Sequence, residues 1–120
     1  MANGLTPEEK VEIIRRMNEW SDGDRLFRDK TVADFLDFYP KTIQTYLECR
    51  GRGDTQGMIR AAHSLKSTLS FLGTTSVFLS AQATEEALIE HDPRSHALFE
   101  ALTAQLNLLS LYLGSIIKEN

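Results

Sequence analysis

The chain has 120 residues, enough for one folded domain and too few for two cores. Its 42% hydrophobic and 25% charged residues are ordinary for a soluble globular protein, and the short apolar runs exclude a membrane span. A net charge of −4 speaks against a nucleic-acid partner, a single cysteine (Cys49) rules out an internal disulfide, and MANGLTPEEK lacks the layout of a secretion signal. A reduced, cytoplasmic chain is the expectation.

In chain order, TPEE at 6–9 is a helix start: Thr6 caps, Pro7 suits the first helical position and Glu9 completes a capping box. Val11, Ile14 and Met17 give the apolar stripe of a helix over 7–20. SDGDRLFRDK reads as a polar connector. A second helix over 31–49 carries Val32, Phe35, Leu36, Tyr39, Ile43, Tyr46 and Leu47 at helical spacing, with a kink or short break expected at Pro40. RGRGD is a loop, and Asp54 caps a third helix over 55–72 that stops at Gly73. TTS at 74–76 caps a fourth, over 76–90. Asp92 and Pro93 open a fifth over 93–118, striped by Leu98, Leu102, Leu106, Leu109, Leu113 and Ile116. No strand alternation or repeat occurs. The expected class is all-α: an antiparallel up-and-down four-helix bundle with an additional N-terminal helix, one domain over 1–120.

The third helix holds the chemistry. Advancing about 100° per residue puts Met58, Ala61, Ala62, Leu65, Leu69 and Leu72 on one side and His63 at the centre of the other. Arg60, Lys66, Ser67 and Ser70 fall within about 60° of the imidazole, and Ser64 and Phe71 lie further round. A lone helical histidine is most often a surface group or a satisfied core group, and this face excludes the core. Ordinary solvated faces carry Glu–Lys pairs, whereas serines surround His63. Between Asp54 and Glu85 no Asp or Glu occurs. A buried helix simply short of charge is the plain explanation. The alternative is a site favourable to an anion, in which Lys66, one turn from His63, reaches a phosphoryl group on the imidazole.

The stretch AHSLKSTLSFLG resembles the signature of the histidine-containing phosphotransfer (HPt) domain family, His-x-x-Lys, a small residue, then Leu-Gly. FLDFYPKTIQTYLE is similar to the helix before that signature, and LGTTSVFLSAQATEEALIE, with Glu85, to the helix after it. The family usually has glycine after the lysine. Here it is Ser67, small enough to let a partner approach.

The resemblance implies a phosphorelay intermediate. His63 Nε2 takes a phosphoryl group from a receiver's phospho-aspartate and passes it to the aspartate of another receiver, with Lys66 offsetting phosphoryl charge. It implies a phosphocarrier without autonomous catalysis, with no metal or cofactor of its own and the divalent metal on the receiver. The implied partners are receiver domains of response regulators and hybrid sensor kinases, with no nucleic acid or membrane, and a monomer. Ile59, Arg60, Ser64, Ser67, Ser70 and Phe71 would line the site or dock the receiver, and Gln82 sits where family members place a side chain that hydrogen-bonds the histidine. His91 and His96 read as solvated and not metal-binding. A catalytically silent HPt-like adaptor is the alternative, although it has no need of the His63–Lys66 pair. A metal-dependent bundle enzyme lacks its paired Glu-x-x-His motifs.

Overall fold

The computed structural model describes residues 4–118, and every regular element among them is helical: α1 (Pro7–Ser21), α2 (Arg25–Gly51), α3 (Thr55–Leu69), α4 (Thr75–Ile89) and α5 (Ser95–Lys118). In the bundle, α2 packs on α3, α3 on α4, α4 on α5 and α5 back on α2, so these four close a ring. Tyr46, Leu65, Leu69, Leu102, Leu106 and Leu113 are fully buried inside it.

The capping box of α1 is present, with Thr6 and Glu9 exchanging backbone-to-side-chain bonds of 2.9 and 3.1 Å. Its stripe differs from the sequence expectation. Ile13 and Met17 are buried, whereas Val11 and Ile14 are exposed. The reason is polar. Arg16 donates to Ser70 O (2.8 Å) and Gly73 O (3.0 Å), while Glu12 accepts from the Thr75 amide (3.2 Å) and hydroxyl (2.7 Å). A guanidinium thus meets the carbonyls past the end of α3 and a carboxylate meets the start of α4, each matching its helix dipole. Aiming these two side chains at the α3–α4 turn rotates Ile13 and Met17 inward.

The expected connector over 21–30 is mostly helix. Only Asp22–Asp24 turn, with Asp22 and Gly23 at positive φ, and Asp24 then caps α2 by accepting from the Phe27 amide at 3.0 Å. Nor does Pro40 break α2, which runs unbroken over 27 residues. Pro40 cannot donate to the ladder, a cost of about 3 kcal/mol. Packing on both sides outweighs it: Phe35, Tyr39 and Tyr46 are buried, and the Tyr39 hydroxyl reaches Ser110 Oγ of α5 at 2.9 Å.

α3 ends at Leu69, three residues early. The amide and hydroxyl of Ser70 both turn back onto Ser67 O, and Gly73 takes φ +113 in the turn that follows. α5 likewise starts at Ser95, because Asp92 is held in a turn by the backbone amide and guanidinium of Arg94. Bonding to that guanidinium lowers the Asp92 carboxyl to about 2. Thr74, fully buried, caps α4 through the Val77 amide.

Gly57, in the first turn of α3, has no room for a side chain. A Cβ there would collide with Cys49 Sγ and lie 2.6 Å from the capping Asp54 carboxylate. Gly57→Ala is therefore expected to destabilise the fold by about 1–3 kcal/mol despite alanine's higher helix propensity. Chemical denaturation measures it, and an unchanged midpoint would contradict the packing at the α2–α3 corner.

Candidate functional site

On α3 the buried residues are Gly57, Ala61, Ala62, Leu65 and Leu69, which fixes the helix rotation and turns His63 outward. Its imidazole is 58% exposed. Asp54 anchors the start of the helix by accepting from the Gly57 amide at 2.9 Å.

The decisive neighbour comes from α4. Glu85 brings one carboxylate between the two cationic candidates: Oε2 lies 2.8 Å from His63 Nδ1 and Oε1 lies 2.6 Å from Lys66 Nζ. The Glu85 side chain is only 12% exposed and that of Lys66 26%. The apparent lack of an acid partner around His63 is thus a property of α3 alone. The acid-free stretch of sequence ends at Glu85, and folding lays that residue back over its middle.

Burial works to raise the Glu85 carboxyl. Hydrogen bonds from Lys66 and His63, together with the Lys66 charge, outweigh it and hold the carboxyl below its ordinary 4.5. An ionised carboxylate has no proton to give, so the hydrogen in the 2.8 Å contact belongs to His63 Nδ1. In the neutral imidazole the lone pair then sits on Nε2, which makes no hydrogen bond among the described residues. The arrangement presents a nucleophilic nitrogen on an exposed ring whose orientation is fixed from behind.

The other predicted residues fall around this centre in different ways. Arg60, Ser64, Ser67 and Ser70 are exposed on α3 or its end, and Ile59 is half-buried at the core margin. Arg60 and Ser64 also line a groove of about 200 Å³ between α2 and α3, together with Thr42, Thr45 and Cys49. Phe71 is 41% exposed and packs edge-on against Trp20 of α1. Gln82 does not reach the histidine. Its amide donates to Glu86 at 3.1 Å, and the contact expected of it is made by Glu85, one turn further along α4. His91 is exposed at positive φ, but His96 is not simply solvated. It stacks beside Tyr46 and Phe99, and its Nδ1 is buried. No group of three or more His, Cys, Asp or Glu able to hold a metal ion occurs among the described residues.

Glu85 is the site residue that spacing on α3 could not supply. Its signal lies on α4, where it shares a face with the buried Val77, Ala81, Thr84 and Leu88. A carboxylate in an apolar stripe needs a cation or a donor on the helix it faces.

A family model described as Hpt domain matches residues 30–111. No curated protein and no solved structure matches the chain.

Proposed function

Because the chain belongs to the Hpt domain family, whose members carry phosphoryl groups in two-component phosphorelays by interacting with receiver domains, we propose that His63 is its phosphoacceptor. The observation that carries this reading is the single Glu85 carboxylate bridging His63 Nδ1 and Lys66 Nζ, which leaves Nε2 as the reactive nitrogen.

In the proposed reaction Nε2 attacks the phosphorus of a receiver's phospho-aspartate. The P–O bond to the aspartate breaks and its carboxylate leaves. Glu85 faces the cationic phosphoimidazole through Nδ1–H, and Lys66, already at the site, compensates the added phosphoryl oxygens. In the return step an aspartate of another receiver attacks, the P–N bond breaks, and its electrons return to Nε2 as the ring leaves neutral. No proton has to move in either step, so the chain needs no general acid or base. Positioning and charge do the work. The receiver supplies the divalent metal, and the carrier has no cofactor or autonomous catalysis of its own. Arg60, Ser64, Ser67 and Ser70 leave a small-residue, cationic surface for the receiver to approach, with Ile59 and Phe71 at its margins.

The same reading includes the fold's finer description. The short α2–α3, α3–α4 and α4–α5 connections and the closed ring support an antiparallel up-and-down order of four helices, with α1 additional to it. One domain over 1–120, acting as a cytoplasmic monomer, completes the proposal. No described helix is long and apolar enough to cross a membrane.

The test is incubation with phosphorylated receiver domains. The chain is expected to acquire an acid-labile, base-stable phosphoryl group and to lose it to a second, unphosphorylated receiver. Binding of receivers without any such label would favour the silent-adaptor alternative.

A further inference from the structure

The anchoring of His63 divides the site into two sides. Glu85 holds Nδ1 from the α4 side, and its other oxygen keeps the Lys66 ammonium there at 2.6 Å. The two nitrogens of an imidazole flank one carbon, and their outward directions diverge by well over a right angle. With Nδ1–H aimed at α4, Nε2 faces away from Glu85 and Lys66, toward solvent and the α2 side.

Two unengaged donors stand on that side. At about 100° per residue, Arg60 and Ser67 both fall on the side of His63 opposite to Lys66. The packing agrees, because Arg60 lines the groove facing α2 whereas Lys66 meets α4. Both residues are exposed. Arg60 makes no hydrogen bond or ion pair among the described residues, and the groove it borders contains no carboxylate. The Ser67 hydroxyl is equally free among them, whereas its carbonyl accepts from the amide and hydroxyl of Ser70. Arg60 lies one turn before His63 and Ser67 one turn after it, with β-carbons about 5–6 Å from that of the histidine. Helical side chains lean toward the helix start, which carries the Ser67 hydroxyl over the turn that holds His63. The long Arg60 stem spans the gap from the other side.

A phosphoryl group adds three acceptor oxygens and roughly two negative charges. The charge of Lys66 already balances Glu85, and its ammonium lies across the ring from Nε2. A guanidinium fork matches two phosphoryl oxygens, and a serine hydroxyl serves a third.

We infer that Arg60 and Ser67 bind the phosphoryl group on His63 Nε2, Arg60 through its guanidinium and Ser67 through its hydroxyl, while Lys66 compensates charge from the far side of the ring. The inference rests on the phosphorelay reading. No bond to phosphorus forms or breaks at either residue, and neither gives up a proton. They act where negative charge builds on the phosphoryl oxygens. Glycine, the family's usual residue at position 67, has no side-chain donor, so the Ser67 contact sets this chain apart.

The experiment loads the chain with phosphoramidate, a small donor that needs no docking, and compares wild type with Arg60→Gln, Arg60→Lys and Ser67→Ala, with His63→Gln as the blank. All three positions tested are exposed, so circular dichroism and thermal unfolding should be unchanged. The saturating loading rate is expected to fall about tenfold in Arg60→Gln and about threefold in Ser67→Ala, with Arg60→Lys recovering part of the loss through charge without the fork. Loading of wild type should also shift the Arg60 side-chain ¹⁵N–¹H signals, identified by their loss in Arg60→Gln. An Arg60→Gln loading rate within about twofold of wild type, or unshifted Arg60 signals, overturns the inference. Slower labelling by phosphorylated receivers alone would make these residues docking contacts and overturns it equally, leaving the phosphorelay reading intact. A Ser67→Ala rate equal to wild type overturns the Ser67 contact. Failure of wild type to load on His63 from phosphoramidate and from every phosphorylated receiver overturns both readings.

Discussion

His63→Gln is expected to reduce phosphoryl labelling by receivers to background while the fold survives. Glutamine offers no nitrogen lone pair, because its amide nitrogen is conjugated to the carbonyl, so the P–N bond cannot form. The structural cost is small for two reasons. The imidazole is 58% exposed, and substitutions at such positions usually stay within about 0.5 kcal/mol. The glutamine amide also retains a donor for Glu85 Oε2. Labelling and thermal unfolding measured on the same preparation separate the two effects. Label that persists in the variant would move the phosphoacceptor elsewhere and remove the basis of the proposed function.

The second large effect belongs to Glu85. Glu85→Ala leaves Nδ1–H and the Lys66 ammonium without their shared acceptor. The loss of a charged hydrogen bond, about 1.5–3 kcal/mol, corresponds to roughly a 10- to 100-fold slower transfer if it falls on the reactive tautomer. Stability should drop by about 1–3 kcal/mol, because Lys66 is three-quarters buried. Glu85→Gln separates the roles. Its carbonyl still accepts from Nδ1 and should rescue much of the rate, while its neutral amide does not restore the Lys66 ion pair. Imidazole ¹⁵N shifts give a readout that a purely structural role would not move: Nδ1 protonated in wild type, a mixture of tautomers in the alanine variant. Unchanged shifts and rates in Glu85→Ala would sink the positioning role.

The pair also carries a pH signature. The folded carboxyl lies below its ordinary 4.5, so its stabilisation is complete above that value. It is lost as pH falls through the depressed folded value, where protonation releases Lys66 and His63. Wild type should therefore lose stability on acidification below 4.5 more steeply than Glu85→Gln.

The all-helical class and the outward position of His63 could be read from periodicity, since both depend on which residues share one helix face. What could not be read depends on relations between helices. Val11 and Ile14 satisfy the spacing of a stripe as well as Ile13 and Met17 do, and only the bonds of Glu12 and Arg16 to the α3–α4 turn choose between them. Arg25–Lys30 resembles a linker in composition, yet Asp24 caps it and Trp20 packs on Phe27, which is enough for α2 to begin there. Glu85 is the same lesson at the site: an acid absent from a stretch of sequence is present at the same place in space.

The way α1 is attached has a consequence for the energetics of the whole face. Ile13 and Met17 are its buried apolar residues, and its remaining hold on the α3–α4 turn is the polar bonds of Glu12 and Arg16 and the edge-on contact of Trp20 with Phe71. It is therefore the element with the lowest cost of local opening, able to leave while the ring of α2–α5 stays closed. When it leaves, the end of α3 loses its guanidinium, the start of α4 loses its carboxylate, and Phe71 loses Trp20, all without disturbing the His63–Glu85–Lys66 contacts. The reactive centre and the contact of α1 with Phe71 thus belong to different cooperative units.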